Sequence, residues 1–174
     1  MFKLRTRRLR LRHFDTADDQ ALYQAIFSDP QVMRFGDGTR SLEWTRLWIQ
    51  TCQQDYYESR GYGPYAVIGQ RPSRLLGYCG LFYFPDVNGQ AEVELGYRLA
   101  QSVWGQGYAT EAAFAVRDYA HTTLGMRRLI AIIDPANAAS MRVAEKIGMR
   151  YEQDVMFEGY SHPDRVYSIT WAGT

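Results

Sequence analysis

The stretch Trp104-Gly105-Gln106-Gly107-Tyr108-Ala109-Thr110 constrains this chain more than any other, because an alternating strand runs into it and an amphipathic helix runs out of it. Upstream, Val93, Leu95, Tyr97 and Leu99 alternate with Glu92, Glu94, Gly96 and Arg98, the period of a half-buried strand. Downstream, Ala109, Ala112, Ala113, Val116, Ala120 and Leu124 recur at helical spacing, and Gly125 supplies a stop. Two glycines where a helix begins let the backbone approach an anion closely, at the point where unpaired first-turn amides and the positive end of the helix dipole converge. The stretch predicts a site for an anion of diphosphate size. A P-loop is excluded, since the sequence holds no Gly-Lys pair. A dinucleotide fingerprint fits poorly, because Thr110 stands where a third Gly or Ala is required.

Around this centre the periodicities lay out a strand, helix and meander order. Leu9 and Leu11 between arginines predict a first strand over 4–12. Asp15 caps a predicted helix reaching Ser28, with Ala21, Leu22, Ala25 and Ile26 as its buried stripe, and Ser41 opens a second helix to about Ser59. Strands over 65–68, 75–84 and 91–99 form a meander, and the helix over 107–124 crosses to a fifth, parallel strand at 128–133. Asn137 caps a short helix ending at Gly148, and strands over 150–156 and 165–170 follow.

With 174 residues, 46% of them hydrophobic, the chain is expected to form a single domain over residues 1–174. A net charge of +1 gives no ground for nucleic acid as a partner. Cys52 and Cys79 match no metal spacing and read as reduced thiols, and neither a membrane-length apolar run nor a signal segment is present, so the expected location is cytoplasmic. Arg5, Arg7, Arg8, Arg10 and Arg12 could bind RNA, but alternating arginines on an edge strand more simply form a solvated face. Tyr56, Tyr57, Tyr62 and Tyr65 read as packing groups near an acceptor wall. His13, His121 and His162 show no ligand spacing, and no metal is expected.

Three motifs together resemble the GNAT N-acetyltransferase family. Its acetyl-CoA signature, Gln/Arg-x-x-Gly-x-Gly/Ala, is met by Trp104-x-x-Gly107-x-Ala109, with Trp in place of the usual first residue. That departure, with Glu94-Leu95-Gly96-Tyr97 before it and Asn137-Ala-Ala-Ser140-x-x-x-x-Glu145-Lys146-x-Gly148-Met149 after it, is similar to the RimJ/RimL ribosomal-protein branch, as is the opening Thr6-Arg7-Arg8-Leu9-Arg10-Leu11-Arg12. The resemblance implies an α/β (α+β) GNAT fold: a mixed, mostly antiparallel sheet of six to seven strands with flanking helices and splayed parallel fourth and fifth strands. It also implies acetyl-CoA as donor, CoA as product and an amine acceptor, best matched to a protein or peptide N-terminus. A polyamine, amino acid or antibiotic acceptor is the alternative within the class, a non-catalytic acyl-CoA sensor the alternative outside it. The protein would act as a monomer or homodimer, without nucleic acid or membrane.

On that resemblance, amides of Trp104, Gly105, Gln106, Gly107, Tyr108, Ala109 and Thr110 would hold the diphosphate, and the backbone of Tyr97, Arg98 and Leu99 would bond the pantetheine arm like an added strand. Asn137 would cap its helix and offer its amide to the cofactor. Glu94 is the preferred base, directly or through water, with Glu92 second on the same strand face. An amide near Leu95 to Tyr97 would donate to the oxyanion, a contribution of about 3 to 4 kcal/mol where it has been removed elsewhere. Many family members carry an acid tyrosine where this chain has Ala144, so the role does not carry over, and Ser140 is the candidate to hydrogen-bond the sulfur. An α-amine, with a reference pKa of about 8 against ~10.4 for lysine, needs less help from a base.

Overall fold

The structure, a computed structural model, describes residues 2–36 and 38–172. Its strands are β1 (Phe2–Arg5), β2 (Leu9–Arg12), β3 (Pro64–Gln70), β4 (Ser73–Val87), β5 (Gln90–Leu99), β6 (Arg128–Ile133), β7 (Arg150–Val155) and β8 (Asp164–Thr170). They form one mixed sheet in the order β1-β2-β3-β4-β5-β6-β8-β7, antiparallel except where β5 meets β6. The helices are α1 (Asp19–Leu22), flanked by the tight turn Thr16–Asp18 and the π-helical Tyr23–Phe27, then α2 (Leu42–Thr51), running on through the wider turns of Cys52–Glu58, α3 (Tyr108–Thr122) and α4 (Ala138–Lys146).

Eight strands replace the expected six to seven because residues 4–12 do not run straight. Thr6 folds them back: its hydroxyl accepts from the Leu9 amide at 3.0 Å and its amide donates to the Leu9 carbonyl at 3.0 Å. A hydroxyl that satisfies backbone groups locally competes with strand continuation. Along the first helix Leu22 and Ile26 are buried as expected, but the π-helical turn rotates the stripe, exposing Ala21 and bringing Phe27 inside. Asp15 caps this segment with a reciprocal capping box through Asp18, and Ser41 caps α2 at the Trp44 amide.

The sheet separates two apolar layers. On one face Leu81, Leu95 and Leu99 pack against Ala112, Ala113, Val116 and Ala120 of α3, whose small side chains bring the helix close to the strands. On the other, Leu22, Ile26, Phe27 and Ile49 pack against Ala66, Ile68 and Tyr78. Within the sheet, β5 is registered along β4 from Val87 opposite Gln90 to Gly77 opposite Leu99, and β6 is registered with β8 over its whole length. Between β5 and β6 only Glu94 opposite Ile130 is registered. Each strand is therefore held by its outer neighbour, and the two diverge beyond one shared pair. This is the expected splay, and it opens a seam in the sheet. Among the described residues no helix is long and apolar enough to cross a membrane.

Candidate active site

At the end of β5 the chain turns through 104–107 into α3. Gly105 (φ 73°) and Gly107 (φ 78°) both take left-handed backbone, and a side chain at Gly105 would project into open space. Gly107 is the N-cap of α3 and provides no side chain to cap it, so the first-turn amides are left for a ligand. A cavity of about 310 Å³ lies against this turn, and every residue from Trp104 to Thr110 except Gln106 lines it. Gln106 points elsewhere: its side chain donates to the Ser102 carbonyl and its own carbonyl accepts from Arg8 Nη1 at 2.8 Å. The Trp104 indole donates to the Leu99 carbonyl at 2.8 Å, tying the turn to the strand that feeds it. One of the backbone acceptors expected for the pantetheine arm is thus already engaged.

A second cavity, of about 460 Å³, continues through the seam, and Tyr97, Arg98, Asn137 and Ser140 line both. The Tyr97 hydroxyl stands 3.1 Å from Ser140 Oγ, and Asn137 Oδ1 accepts from the Ser140 amide at 3.1 Å, placing the serine at the first turn of α4. Burial pushes the Tyr97 phenol up to about 12, against the pull of the Ser140 hydrogen bond, so it stays protonated at neutral pH. The Arg98 side chain takes the opposite face of the strand, donating to the Phe35 carbonyl at 2.9 Å. Gly36 (φ 144°) makes that reach possible, because a Cβ there would sit 2.6 Å from Arg98 Nη2.

Glu94 lines the second cavity and plugs the seam, accepting from the Ile132 amide at 3.2 Å just past the last registered pair. Burial pushes its carboxyl up to about 7, with Asp164 adding to the shift and the Ile132 hydrogen bond and Arg98 opposing it. Glu92, two residues back on the same face, is elsewhere engaged. The residue is 6% exposed, its carboxylate accepts from Arg128 Nε at 2.9 Å and from Gln90 at 2.5 Å, and it lines neither cavity. Arg128 in turn reaches Glu152 with both Nη atoms, which makes Glu92 part of a clamp across β5, β6 and β7.

The family model for the acetyltransferase (GNAT) domain matches residues 8–150. The chain is 38% identical to the uncharacterized protein YkkB of Bacillus subtilis, over 95% of this chain and 94% of the relative. Its fold matches an acetyltransferase of the GNAT family from Bacillus anthracis with a TM-score of 0.80 at 29% identity, covering 98% of each chain. It also matches RimL, an alpha-N-protein acetyltransferase solved with coenzyme A, with a TM-score of 0.76 at 22% identity over 95% of each chain, a likeness of fold. The chain belongs to the GNAT acetyltransferase family.

As a GNAT acetyltransferase it uses acetyl-CoA, and the open left-handed turn with its uncapped amides fits a diphosphate. Sequence reading missed what braces the GNAT cradle. Arg8, read as one arginine of a solvated stripe, sits in the β1–β2 turn, pairs with Glu111 at 2.6 Å and lies 4.1 Å over the Tyr108 ring. Glu111 also accepts from Thr6 Oγ1 at 2.5 Å and the Arg8 amide at 2.8 Å. Burial works against that carboxylate, but these hydrogen bonds outweigh it and hold its pKa below the ordinary value. Arg12 is likewise committed, to Asp18 through two contacts at 2.6 and 2.8 Å.

Other expectations resolve into packing. Tyr57 hydrogen-bonds the Pro64 carbonyl and stacks on His13, Tyr65 is fully buried, and neither lines the cavities; the cavity wall comes instead from the loop after α1, with Phe35 in both. His121 stacks on Trp171. Cys52 and Cys79 are free and buried, and burial pushes both thiols up, which leaves them unreactive. His162, for which the sequence shows no ligand spacing, lies between two carboxylates, 3.6 Å from Asp134 and 4.0 Å from Asp164. No local spacing joins these three, because the sheet brings them together.

Proposed function

We propose that the chain moves an acetyl group from acetyl-CoA directly onto a primary amine, in a ternary complex and without an acyl-enzyme. The observation that carries this reading is Glu94: a carboxyl raised to about 7, lining the acceptor cavity at the point where β5 and β6 part. A carboxylate with that proton affinity matches an amine that must shed a proton near neutral pH. Acetyl-CoA supplies an activated thioester. Trp104 to Thr110 would hold its diphosphate, and the β5 edge from Leu95 to Leu99, past its last registered pair with β6, would take the pantetheine arm as an added strand.

Glu94 accepts the amine proton, freeing the lone pair that forms the new bond to the acetyl carbon. An amide between Leu95 and Tyr97 donates to the carbonyl oxygen as it gains charge. The carbon–sulfur bond breaks toward Tyr97 and Ser140, whose paired hydroxyls hold a proton for the leaving sulfur. A phenol from β5 thereby stands in for the helical tyrosine that Ala144 replaces. The branch resemblance favours the α-amine of a protein or peptide as acceptor.

The test is thiol release with product mass analysis, run on acetyl-CoA with a panel of N-terminal peptides and small amines. Acetylated amine equal to thiol released, with no acetyl left on the protein, is expected. An acetyl group retained on the protein and chased by amine would contradict direct transfer.

A further inference from the structure

The acceptor cavity holds a charged group that the mechanism above does not use. Asp164 opens β8, is 8% exposed, and its Oδ1 is buried without a hydrogen-bond partner. A buried carboxylate oxygen left unpaired is strongly unfavourable until a cation, a hydrogen-bond donor or a proton completes it. Asp134, just past the end of β6, lines the same cavity, and its Oδ1 is occupied by the Ala136 amide at 2.7 Å while Oδ2 turns toward His162. His162 lies 3.6 and 4.0 Å from the two carboxylates, beyond hydrogen-bond length to either. Burial, then the neighbouring Asp134, push the Asp164 carboxyl above its ordinary value, against the pull of His162.

Building on the acetyl-transfer reading, we propose that Asp164 and Asp134 form a subsite for a second positive charge on the acceptor, so that the amine acetylated carries another ammonium or guanidinium group in the same molecule. The charge layout of the channel supports that orientation. Arg34, Arg142 and Lys146 line only the cavity beside the cradle, and Glu94, Asp134 and Asp164 line only the acceptor cavity, while Arg98 lines both with its guanidinium engaged by the Phe35 carbonyl and the Met33 sulfur. A dicationic acceptor is drawn to the far end and kept away from the arginines near the donor's phosphates. Phe84, Phe157 and Tyr160 line the same space, giving apolar surface to an alkyl spacer and ring faces to a cation.

A divalent metal fits less well, although these three side chains can bring one ligand atom each within 4.8 Å of one another. In the ion-pair contacts His162 turns Nε2 to Asp134 and Nδ1 to Asp164, whereas a metal needs one ring nitrogen and an oxygen of each carboxylate directed at the same ion.

The test measures kcat and KM at saturating acetyl-CoA for α,ω-diaminoalkanes against n-alkylamines of matched length, and for peptides with Lys against Leu at the second position, which separates a free diamine from a basic N-terminus. In one of the two pairings the dicationic member is expected to win by tenfold or more in kcat/KM, mostly through KM. Asp164→Asn should shrink that preference to about twofold, with Asp134→Asn acting in the same direction as a second variant. Retained acetyl-CoA binding, read by titration calorimetry, reports that each variant is folded. Equal kcat/KM within both pairs, or a preference that survives in both variants, overturns the subsite while leaving acetyl transfer standing. Stoichiometric zinc or manganese binding that Asp164→Asn abolishes, with no dicationic preference, overturns it in favour of a metal. Thiol release with none of these amines and none of the wider panel would instead remove the acetyl-transfer reading on which the subsite rests.

Discussion

At the scale of single residues, the fold separates two glutamates that the sequence leaves equivalent. Glu92 and Glu94 share a strand face, and alternation assigns them the same surroundings. What distinguishes them is non-local: Arg128 claims Glu92, and the seam claims Glu94. Glu94→Gln is expected to lower kcat by roughly 100-fold, within the usual span for a general base. It should also change the slope of log kcat/KM against pH. In the wild type Glu94 takes the proton of a bound ammonium, so the profile rises with slope one to about pH 7 and is then flat up to the amine's own pKa, whereas in the variant only the neutral amine reacts and the slope of one continues to that pKa. An unchanged slope above pH 7 removes Glu94 as base. Glu92→Gln should leave that slope alone and lower stability by about 1 to 3 kcal/mol in urea unfolding, since it neutralises the buried acceptor of Arg128 Nε while Glu152 keeps both Nη atoms. Tyr97→Phe and Ser140→Ala, measured singly and together, should each reduce kcat while the double variant falls short of the product, because the two hydroxyls act as one unit. Tyr97 was legible from the sequence as backbone, but its hydroxyl's partner on α4 was not, since that contact depends on how the helix docks over the strand.

At the scale of elements, the turn into α3 was the most legible part of the molecule because its signal is local: two glycines, an alternating strand before and a periodic helix after. Gly107→Glu is expected to abolish acetyl-CoA binding in calorimetry while the far-ultraviolet circular dichroism stays unchanged, because a carboxylate would compete for the first-turn amides. The brace beneath it was illegible, since Arg8 and Glu111 meet only after β1 and β2 fold back on Thr6. Arg8→Ala should raise the KM for acetyl-CoA several-fold with little change in kcat, a split that tests positioning of the cradle apart from chemistry. The same missed turn explains the strand count: Leu4 is out of phase with Leu9 and Leu11, and the chain folds back on a threonine hydroxyl between them.

At the scale of the whole molecule, stability and function meet in the seam. An acid whose folded pKa is raised contributes stability that is fully present below its ordinary value, 4.5 for Glu94, and lost as pH rises through about 7. The stability of Glu94→Gln relative to the wild type should therefore grow between pH 4.5 and 7 and level off above, by up to about 3 kcal/mol at about 1.4 kcal/mol per pKa unit. Such a gap would mark a carboxyl kept at a stability cost for its chemistry. The architecture behind it was legible as strand order and a parallel crossover. The width of the seam was not, because it follows from β5 and β6 each being held by an outer neighbour. Hydrogen–deuterium exchange with and without acetyl-CoA is the decisive measurement, since on the proposed binding mode main-chain groups along the diverging edge would hold the donor. Slowed exchange is expected in two stretches, 95–99 and 104–110, with β7 unchanged. Saturating acetyl-CoA that left both stretches exchanging as before would contradict main-chain binding of the donor.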